Sequence, residues 1–189
     1  METKQRLYDL DDLWELYCDR SNDHLRFELT DGEIIEMSGP GGVHGQIAIR
    51  LGSYMFLFVQ EHNLGIVTGE TGYHPPGDRY NLLLPDIAFI SYNRAPDPFP
   101  EKLVPAMPDI AVEIRSPSNT REELREKAER YLLLGTALVW TVLPAEKSVE
   151  VCRMNESGET EREMLGPDAT LSGENVLPGF SLEARRIFE

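Results

Sequence analysis

The chain of 189 residues has only two cysteines, Cys18 and Cys152, and they show no CxxC spacing. They could pair only if the fold brought them together, and we expect unpaired thiols in a reducing cytosol. No apolar run approaches the roughly 18 residues that suggest a membrane span. The polar N-terminal residues 1–6 do not resemble a secretory signal. These absences predict a cytoplasmic protein with no membrane partner.

Basic residues are also few. The chain has 18 Lys and Arg against 33 Asp and Glu, so its formal net charge is −15. This charge argues against a general nucleic-acid coat protein, because phosphate binding needs a local density of Lys and Arg. A metal-dependent enzyme with a small basic groove remains compatible, since local potential matters more than total charge. The length and the 41% hydrophobic content fit one globular domain over residues 1–189.

Hydrophobic periodicity and turn signals predict alternating helices and strands in the middle of the chain. Helices are predicted at residues 7–19, 44–61 and 120–134, and strands at 26–29, 33–37, 65–72, 82–90, 109–115, 137–143 and 148–153. Residues 158–179 give few firm signals. The order predicts an α/β (α+β) fold with a mixed central sheet flanked by helices, an N-terminal helix and hairpin, and a C-terminal hairpin region.

Asp86 interrupts the nearly continuous apolar run of residues 82–90. Such a run is typical of a strand that is buried on both faces. A lone buried carboxylate costs several kcal/mol unless it is paired or bound to a cation. Asp86 taken alone is explained equally well as a strand-end residue that caps a turn after Pro85.

Glu113 lies inside the next predicted strand, so turn capping does not explain it. Strand alternation puts Ile110, Val112 and Ile114 on one face and Glu113 on the other. One interpretation is an ion pair with Arg115 or another cation. The functional alternative is that two acidic residues on neighbouring strands share a hard cation.

Lys127 falls within the apolar arc of the predicted helix over residues 120–134. A lysine that points toward the sheet needs a carboxylate partner or a catalytic role. The alternative is that its side chain runs along the helix edge to reach water. Asp86, Glu113 and Lys127 each occupy a position where an apolar residue is expected, and they lie on consecutive elements. This coincidence favours one shared site.

These segments carry a resemblance to the PD-(D/E)XK nuclease superfamily. More narrowly, the chain resembles the bacterial group of restriction endonuclease-like proteins called Uma-two. The matching segments are Phe27–Glu33, Pro40–His44, Leu84–Asp86, Pro108–Glu113 and Ser116–Ser118, followed by Lys127, Tyr131, Gly135 and Trp140. The resemblance spans roughly residues 7 to 180, and it implies a restriction endonuclease-like fold.

The chain departs from the superfamily pattern at Arg115, where the superfamily has a lysine on the strand. The resemblance implies that Lys127, on the helix, takes over that role, which agrees with its place in the apolar arc. The superfamily often has an acidic residue on its first core helix, but this helix has none before Glu61. That difference argues against a second metal.

The implied reaction is hydrolysis of DNA phosphodiester bonds with Mg²⁺, or with Mn²⁺ as a substitute. Asp86, Glu113 and the carbonyl of Ile114 would hold the metal, while Lys127 would orient water or neutralise charge. His44 would bind phosphate or assist proton transfer, or else would make only a structural hydrogen bond. A homodimer is expected, because cutting two strands suits two sites.

Two other functions fit the same residues, namely a catalytically silent nuclease-fold binding or regulatory protein and the hydrolysis of another phosphate-containing substrate. The remaining histidines, His24, His62 and His74, lack the spacing of metal ligands. The sequence does not indicate a nucleic-acid sequence preference, a biological pathway or the number of metals.

Overall fold

A six-stranded mixed sheet forms the centre of the computed structural model, which describes residues 6–22, 25–37 and 39–189. The predictions made for residues 1–5 and for His24 therefore lie outside the described residues. So does Ser38, the first residue of the run of Ser, Gly and Pro at 38–42 that predicts a break in regular structure. The strands lie in the order β3-β4-β5-β6-β7-β8. They are β3 (Gly65–Gly69), β4 (Ile87–Ser91), β5 (Ile110–Ile114), β6 (Leu138–Leu143), β7 (Ser148–Met154) and β8 (Thr160–Leu165).

Only β5 and β6 run parallel, and the other neighbouring strands of this sheet are antiparallel. Helix α3 (Arg121–Leu133) connects the parallel pair, as such a crossover requires. Thr120 starts the helix with a reciprocal capping box that includes Glu123. The crossover places the inner face of α3 on one side of the sheet, over β6 and β7.

Helix α2 (Gly42–His62) packs on the opposite face of the sheet. Its Leu51 and Met55 are fully buried against a core that includes Ile110, Val112 and Trp140. The strand alternation predicted for β5 is therefore observed, because Ala111 belongs to the separate core beneath α3. The sheet is thus covered by one helix on each face, which leaves the strand ends to form a site.

An N-terminal unit closes one end of the sheet. It consists of helix α1 (Leu10–Cys18) and the hairpin of β1 (Arg26–Thr30) and β2 (Glu33–Met37). The hairpin is attached to the segment before β4 by two backbone hydrogen bonds between Leu29 and Leu82. At the C-terminus, β9 (Thr170–Ser172) and β10 (Ser181–Glu183) form a separate antiparallel pair. The predicted mixed α/β architecture is confirmed.

Two predicted strands need correction, and a third strand was not predicted. The strand predicted at 82–90 begins only at Ile87, because Pro85 has no N–H to donate and Leu82 and Leu83 bond to different neighbours. The strand predicted at 65–72 ends at Gly69, and the next residue, Glu70, has a positive φ of 48°. Strand β8 lies in the region with few signals, since its charged and exposed residues hide the period-two pattern.

Helix boundaries also shift. The first helix begins at Leu10 rather than at residue 7, because the Asp9 side chain caps it. Helix α2 begins at Gly42, two residues before the predicted start. Both cysteines are free, with Cys18 exposed and Cys152 buried. Among the described residues, no helix is long and apolar enough to cross a membrane.

Candidate active site

Asp86 lies at the end of the sheet, immediately before β4. Its Oδ2 atom accepts a 2.7 Å hydrogen bond from the Ile114 N–H, and its own N–H donates to the Val112 carbonyl at 3.0 Å. The carboxylate is thereby tied to the end of β5 instead of capping a turn after Pro85. Because the amide and carbonyl of a strand residue point to the same side, the Ile114 carbonyl also faces this edge.

Glu113 is buried at 4% exposure and uses both carboxylate oxygens. Its Oε1 accepts a 2.8 Å hydrogen bond from the Tyr131 hydroxyl, and its Oε2 accepts one from Lys127 Nζ at 2.9 Å. Both donors come from α3, one helical turn apart, so the helix orients this carboxylate. Arg115, the other partner that the sequence allowed, binds Glu146 and the Asn119 carbonyl instead.

Lys127 points toward the sheet and bridges two carboxylates. Its Nζ atom lies 2.9 Å from Glu113 Oε2 and 2.9 Å from Glu28 Oε1. Glu28 comes from β1, is 4% exposed, and also accepts a 2.7 Å hydrogen bond from the Leu84 N–H. The N-terminal hairpin therefore contributes a third acidic residue, Glu28, which the sequence had not singled out.

The cluster holds more negative charge than Lys127 can neutralise. Burial raises the pKa of Glu113 to about 8, and the charges of Asp86 and Glu28 add to this rise although Lys127 opposes it. Burial acts to lower the pKa of Lys127, but the charges of Glu113 and Glu28 outweigh it and raise that pKa above its usual value. The rise in the pKa of Glu113 is caused mainly by burial, whereas the rise in the pKa of Lys127 is caused by the two carboxylates beside it. An added cation would relieve this imbalance.

His44 lies in the first turn of α2 and contacts Asp86. Its Nε2 atom is 3.1 Å from Asp86 Oδ2, whereas its buried Nδ1 atom has no hydrogen-bond partner among the described residues. The imidazole therefore connects α2 to the acidic cluster on the side opposite α3. Its position is compatible with either role that the sequence suggested for it.

A cavity of about 50 Å³ opens where these residues converge. Its walls include His44, Asp86, Glu113, Ile114 and Lys127. A buried water needs only about 10–15 Å³ by this kind of measure, so the cavity can hold a cation with a few waters. Glu113 and Lys127 also line a larger groove of about 690 Å³ between the hairpin and α3.

The described residues contain no group of three His, Cys, Asp or Glu side chains spaced to enclose a metal. The predicted ligand set needs fewer side chains, because it combines Asp86 and Glu113 with the Ile114 carbonyl. Mg²⁺ commonly binds through one or two carboxylates and keeps several waters. The chemistry of these donors and the excess negative charge therefore fit a divalent cation.

All the residues that the sequence singled out for this site lie around the one cavity. Their roles in metal binding and catalysis stay predictions. Two further residues, Glu28 and Tyr131, belong to the cluster. No periodicity could have revealed Glu28, because its neighbours in β1 are buried on both faces. Tyr131 shares the apolar arc with Lys127, and this shared direction was the available signal.

The mixed sheet, with a helix on each face and an acidic cluster at the strand ends, defines a restriction endonuclease-like fold. The model of the Uma2 family, described as "Putative restriction endonuclease", matches residues 10–185, and the chain belongs to this family. The predicted resemblance is confirmed.

A solved structure from Anabaena variabilis ATCC 29413, described as "a putative nuclease belonging to DUF820", has the same fold. It is 24% identical to this chain, with a TM-score of 0.77, and the match covers 95% of this chain and 97% of that one. A comparison with curated proteins gives no match.

Proposed function

We propose that this protein is a metal-dependent endonuclease that hydrolyses phosphodiester bonds of DNA. The observation that carries the proposal is the convergence of Asp86, Glu113 and the Ile114 backbone at the ends of adjacent strands. Lys127 lies 2.9 Å from one of those carboxylates. Membership of a family described as restriction endonucleases supports the nuclease class.

Asp86, Glu113 and the Ile114 carbonyl are the proposed ligands for Mg²⁺, with Mn²⁺ as a substitute. When bound, such a cation lowers the pKa of an attacking water and stabilises negative charge on the phosphate. The Ile114 N–H fixes Asp86, and the Tyr131 hydroxyl fixes Glu113. The two carboxylates are therefore oriented before any ligand arrives, which reduces the cost of binding.

Lys127 supplies the positive charge of the proposed mechanism. Its ammonium group donates hydrogen bonds to orient a water or to neutralise charge that develops on the phosphate. Glu28 also holds that ammonium group, at 2.9 Å. Lys127 therefore keeps one carboxylate partner when Glu113 binds a metal, and Glu28 acts as a positioning residue.

The start of α2 offers a favourable position for a phosphate close to the acidic cluster. Its N-cap residue, Gly41, makes no side-chain capping bond, and the first turn contains no acidic residue. The N–H groups of such a turn attract anions. This local feature, beside His44, supports phosphate binding despite the overall charge of −15.

The test is cleavage of plasmid DNA with Mg²⁺, with Mn²⁺ and with EDTA. We expect cleavage with either cation and none with EDTA, and we expect Glu113→Gln and Asp86→Asn to abolish it. Glu156→Gln, at an exposed turn, removes the same charge away from the site and should cleave like the wild type. Cleavage that persists unchanged in Glu113→Gln or in Lys127→Ala would contradict the proposed site.

A catalytically silent binding or regulatory protein is the second candidate. One observation favours it, since Lys127 and Tyr131 already satisfy both oxygens of Glu113 without a metal. Calorimetric titration with Mn²⁺ separates the two candidates independently of activity. An enzyme should bind Mn²⁺, and Glu113→Gln should lower its affinity for Mn²⁺. A protein that neither binds Mn²⁺ nor cleaves DNA or RNA would favour the silent candidate.

A further inference from the structure

The outer face of α2 is largely apolar, with the half-buried Arg50 at its edge and Glu61 at the C-terminal end of the helix. The exposed residues of this helix between Gly42 and Gln60, all within the part of the chain that the structure describes, include no Asp, Glu, Lys or Arg. Large apolar side chains are exposed along it, namely Val43, Ile49, Phe56 and Leu57. Ile49 alone is 74% exposed. A helix face of this kind is unusual on a monomer and marks an interaction site.

Gly45 gives a second and independent indication of contact on this face. A Cβ atom added at Gly45 would meet nothing within 4 Å, so the packing of the chain itself does not require glycine there. Glycine in a helix interior nevertheless costs about 1 kcal/mol relative to alanine. An approaching partner would explain why this position on an exposed helix face has no side chain.

We propose that this α2 face, defined by Gly45, Ile49, Ser53, Phe56 and Leu57, is the interface of a homodimer. Charge favours a second copy of the chain as the occupant. With a net charge of −15, two copies repel each other over most of their surfaces, and an uncharged face is where they can approach. Arg50, the nearest cation on this helix, donates a hydrogen bond to the Ile187 carbonyl, so the face lacks the density of cations that binding of the DNA backbone needs.

The order of small and large residues on the α2 face is self-complementary. In an antiparallel pair with its twofold axis level with Leu51, Ile49 lies at the level of the partner's Ser53. Leu57 then lies at the level of the partner's Gly45. A twofold interface requires such a match, since each contact occurs twice. In a parallel pair, Ile49 would instead contact the partner's Ile49, and the small residues Gly45 and Ser53 would each face their counterpart in the partner.

Pairing through α2 does not require nuclease activity, but it places two copies of the acidic cluster on one assembly. His44 lies seven residues from Leu51 along the helix. At a rise of about 1.5 Å per residue, the two His44 residues would be about 20 Å apart along the helix axis. Two sites on one face-to-face dimer would be suited to a double-stranded substrate.

The first test is the mass of the full chain in solution, measured by light scattering over a range of protein concentrations. We expect a dimer for the wild type and a monomer for Ile49→Glu. Leu133→Glu is the matched control, because Leu133 on α3 is also 74% exposed and should leave the dimer intact. A monomeric wild type, or a dimer that survives Ile49→Glu, would overturn the proposal.

Gly45→Leu provides a second variant that does not depend on introducing charge. The new side chain enters open space in the monomer, so the melting temperature of the monomer should not fall, while dimer formation should be lost. The antiparallel register is tested by mixing Ile49→Cys with Ser53→Cys, both in a Cys18→Ser background. Cross-links between the two different variants support the register, and cross-links only between like variants refute it.

Discussion

The ammonium group of Lys127 lies 2.9 Å from Glu113 Oε2, across the boundary between helix α3 and the central sheet. The same ammonium group is 2.9 Å from Glu28, so one largely buried cation joins three separate elements of the fold. Removal of one partner from a buried ion pair costs more than the pair itself contributes, because an unpaired charge stays behind. This asymmetry determines how substitutions in the cluster will behave.

Lys127→Ala is expected to destabilise the protein by about 3–5 kcal/mol, because it leaves buried carboxylates without their cation. Chemical denaturation monitored by circular dichroism would measure this loss. Lys147→Ala, at an exposed turn, serves as the control and should change the free energy of unfolding little. The triple variant Lys127→Ala/Glu28→Gln/Glu113→Gln should recover most of the loss, and a failure to recover would mean that charge is not its cause.

The stability of the metal-free protein is expected to fall as the pH rises between 4.5, the ordinary pKa of a glutamate, and about 8, the pKa of Glu113 in the fold. In this interval the folded state holds a proton that the unfolded state has released, so raising the pH favours unfolding. Denaturation in EDTA across this range would measure the slope. Glu113→Gln should remove this contribution to the slope, and an identical slope in the variant would assign the proton to another group.

Glu28→Gln is expected to lower kcat of DNA cleavage by about 10–100-fold, the usual effect of losing a group that orients another site residue. The amide oxygen still accepts from the Leu84 N–H, and Lys127 keeps Glu113 as its charged partner. No charge is therefore left unpaired, and the melting temperature should change little. Affinity for Mn²⁺, measured by calorimetry, should stay close to that of the wild type, because Glu28 is not a proposed ligand.

The matched control for Glu28→Gln is Glu36→Gln on the neighbouring strand β2, where the side chain is exposed. It should leave both kcat and Mn²⁺ affinity unchanged. A drop in Mn²⁺ affinity in Glu28→Gln equal to the drop in Glu113→Gln would show that Glu28 binds the metal directly. An unchanged kcat would instead remove Glu28 from the mechanism.

The two cysteines are expected to differ in reactivity. Burial raises the pKa of the Cys152 thiol to about 11, and the thiolate is the reactive form. Cys18 is exposed. A maleimide reagent at about pH 8 should therefore label Cys18 alone in the native protein and both residues in denaturant. Rapid labelling of Cys152 in the native Cys18→Ser variant would contradict the buried position.

The acidic residues on the strands and the inward-facing lysine could be predicted because each breaks a local pattern. Asp86 and Glu113 interrupt apolar strands, and Lys127 occupies an apolar helix arc. Such conflicts can be recognised from the sequence alone, since hydrophobic periodicity predicts which positions are buried in the core. The crossover from β5 through α3 to β6 then follows from the order of the elements.

Glu28 could not be predicted in this way, because its burial depends on a distant contact. The hairpin that carries Glu28 is held against the segment before β4 by hydrogen bonds between Leu29 and Leu82. No local pattern reveals a pairing over so many residues. The start of the strand at Ile87 was not predicted for a related reason, because Leu82 and Leu83 are apolar but pair with other segments.

By itself, the sequence determined the mixed α/β architecture, the family, and the three charged residues around which a site could form. Periodicity, capping signals and charges in apolar positions are local properties, so they are available before folding. Only the tertiary structure decided that Lys127 is shared by Glu28 and Glu113 and that Arg115 is not their partner. These partnerships depend on how β1, β5 and α3 meet in space, and that arrangement results from long-range packing.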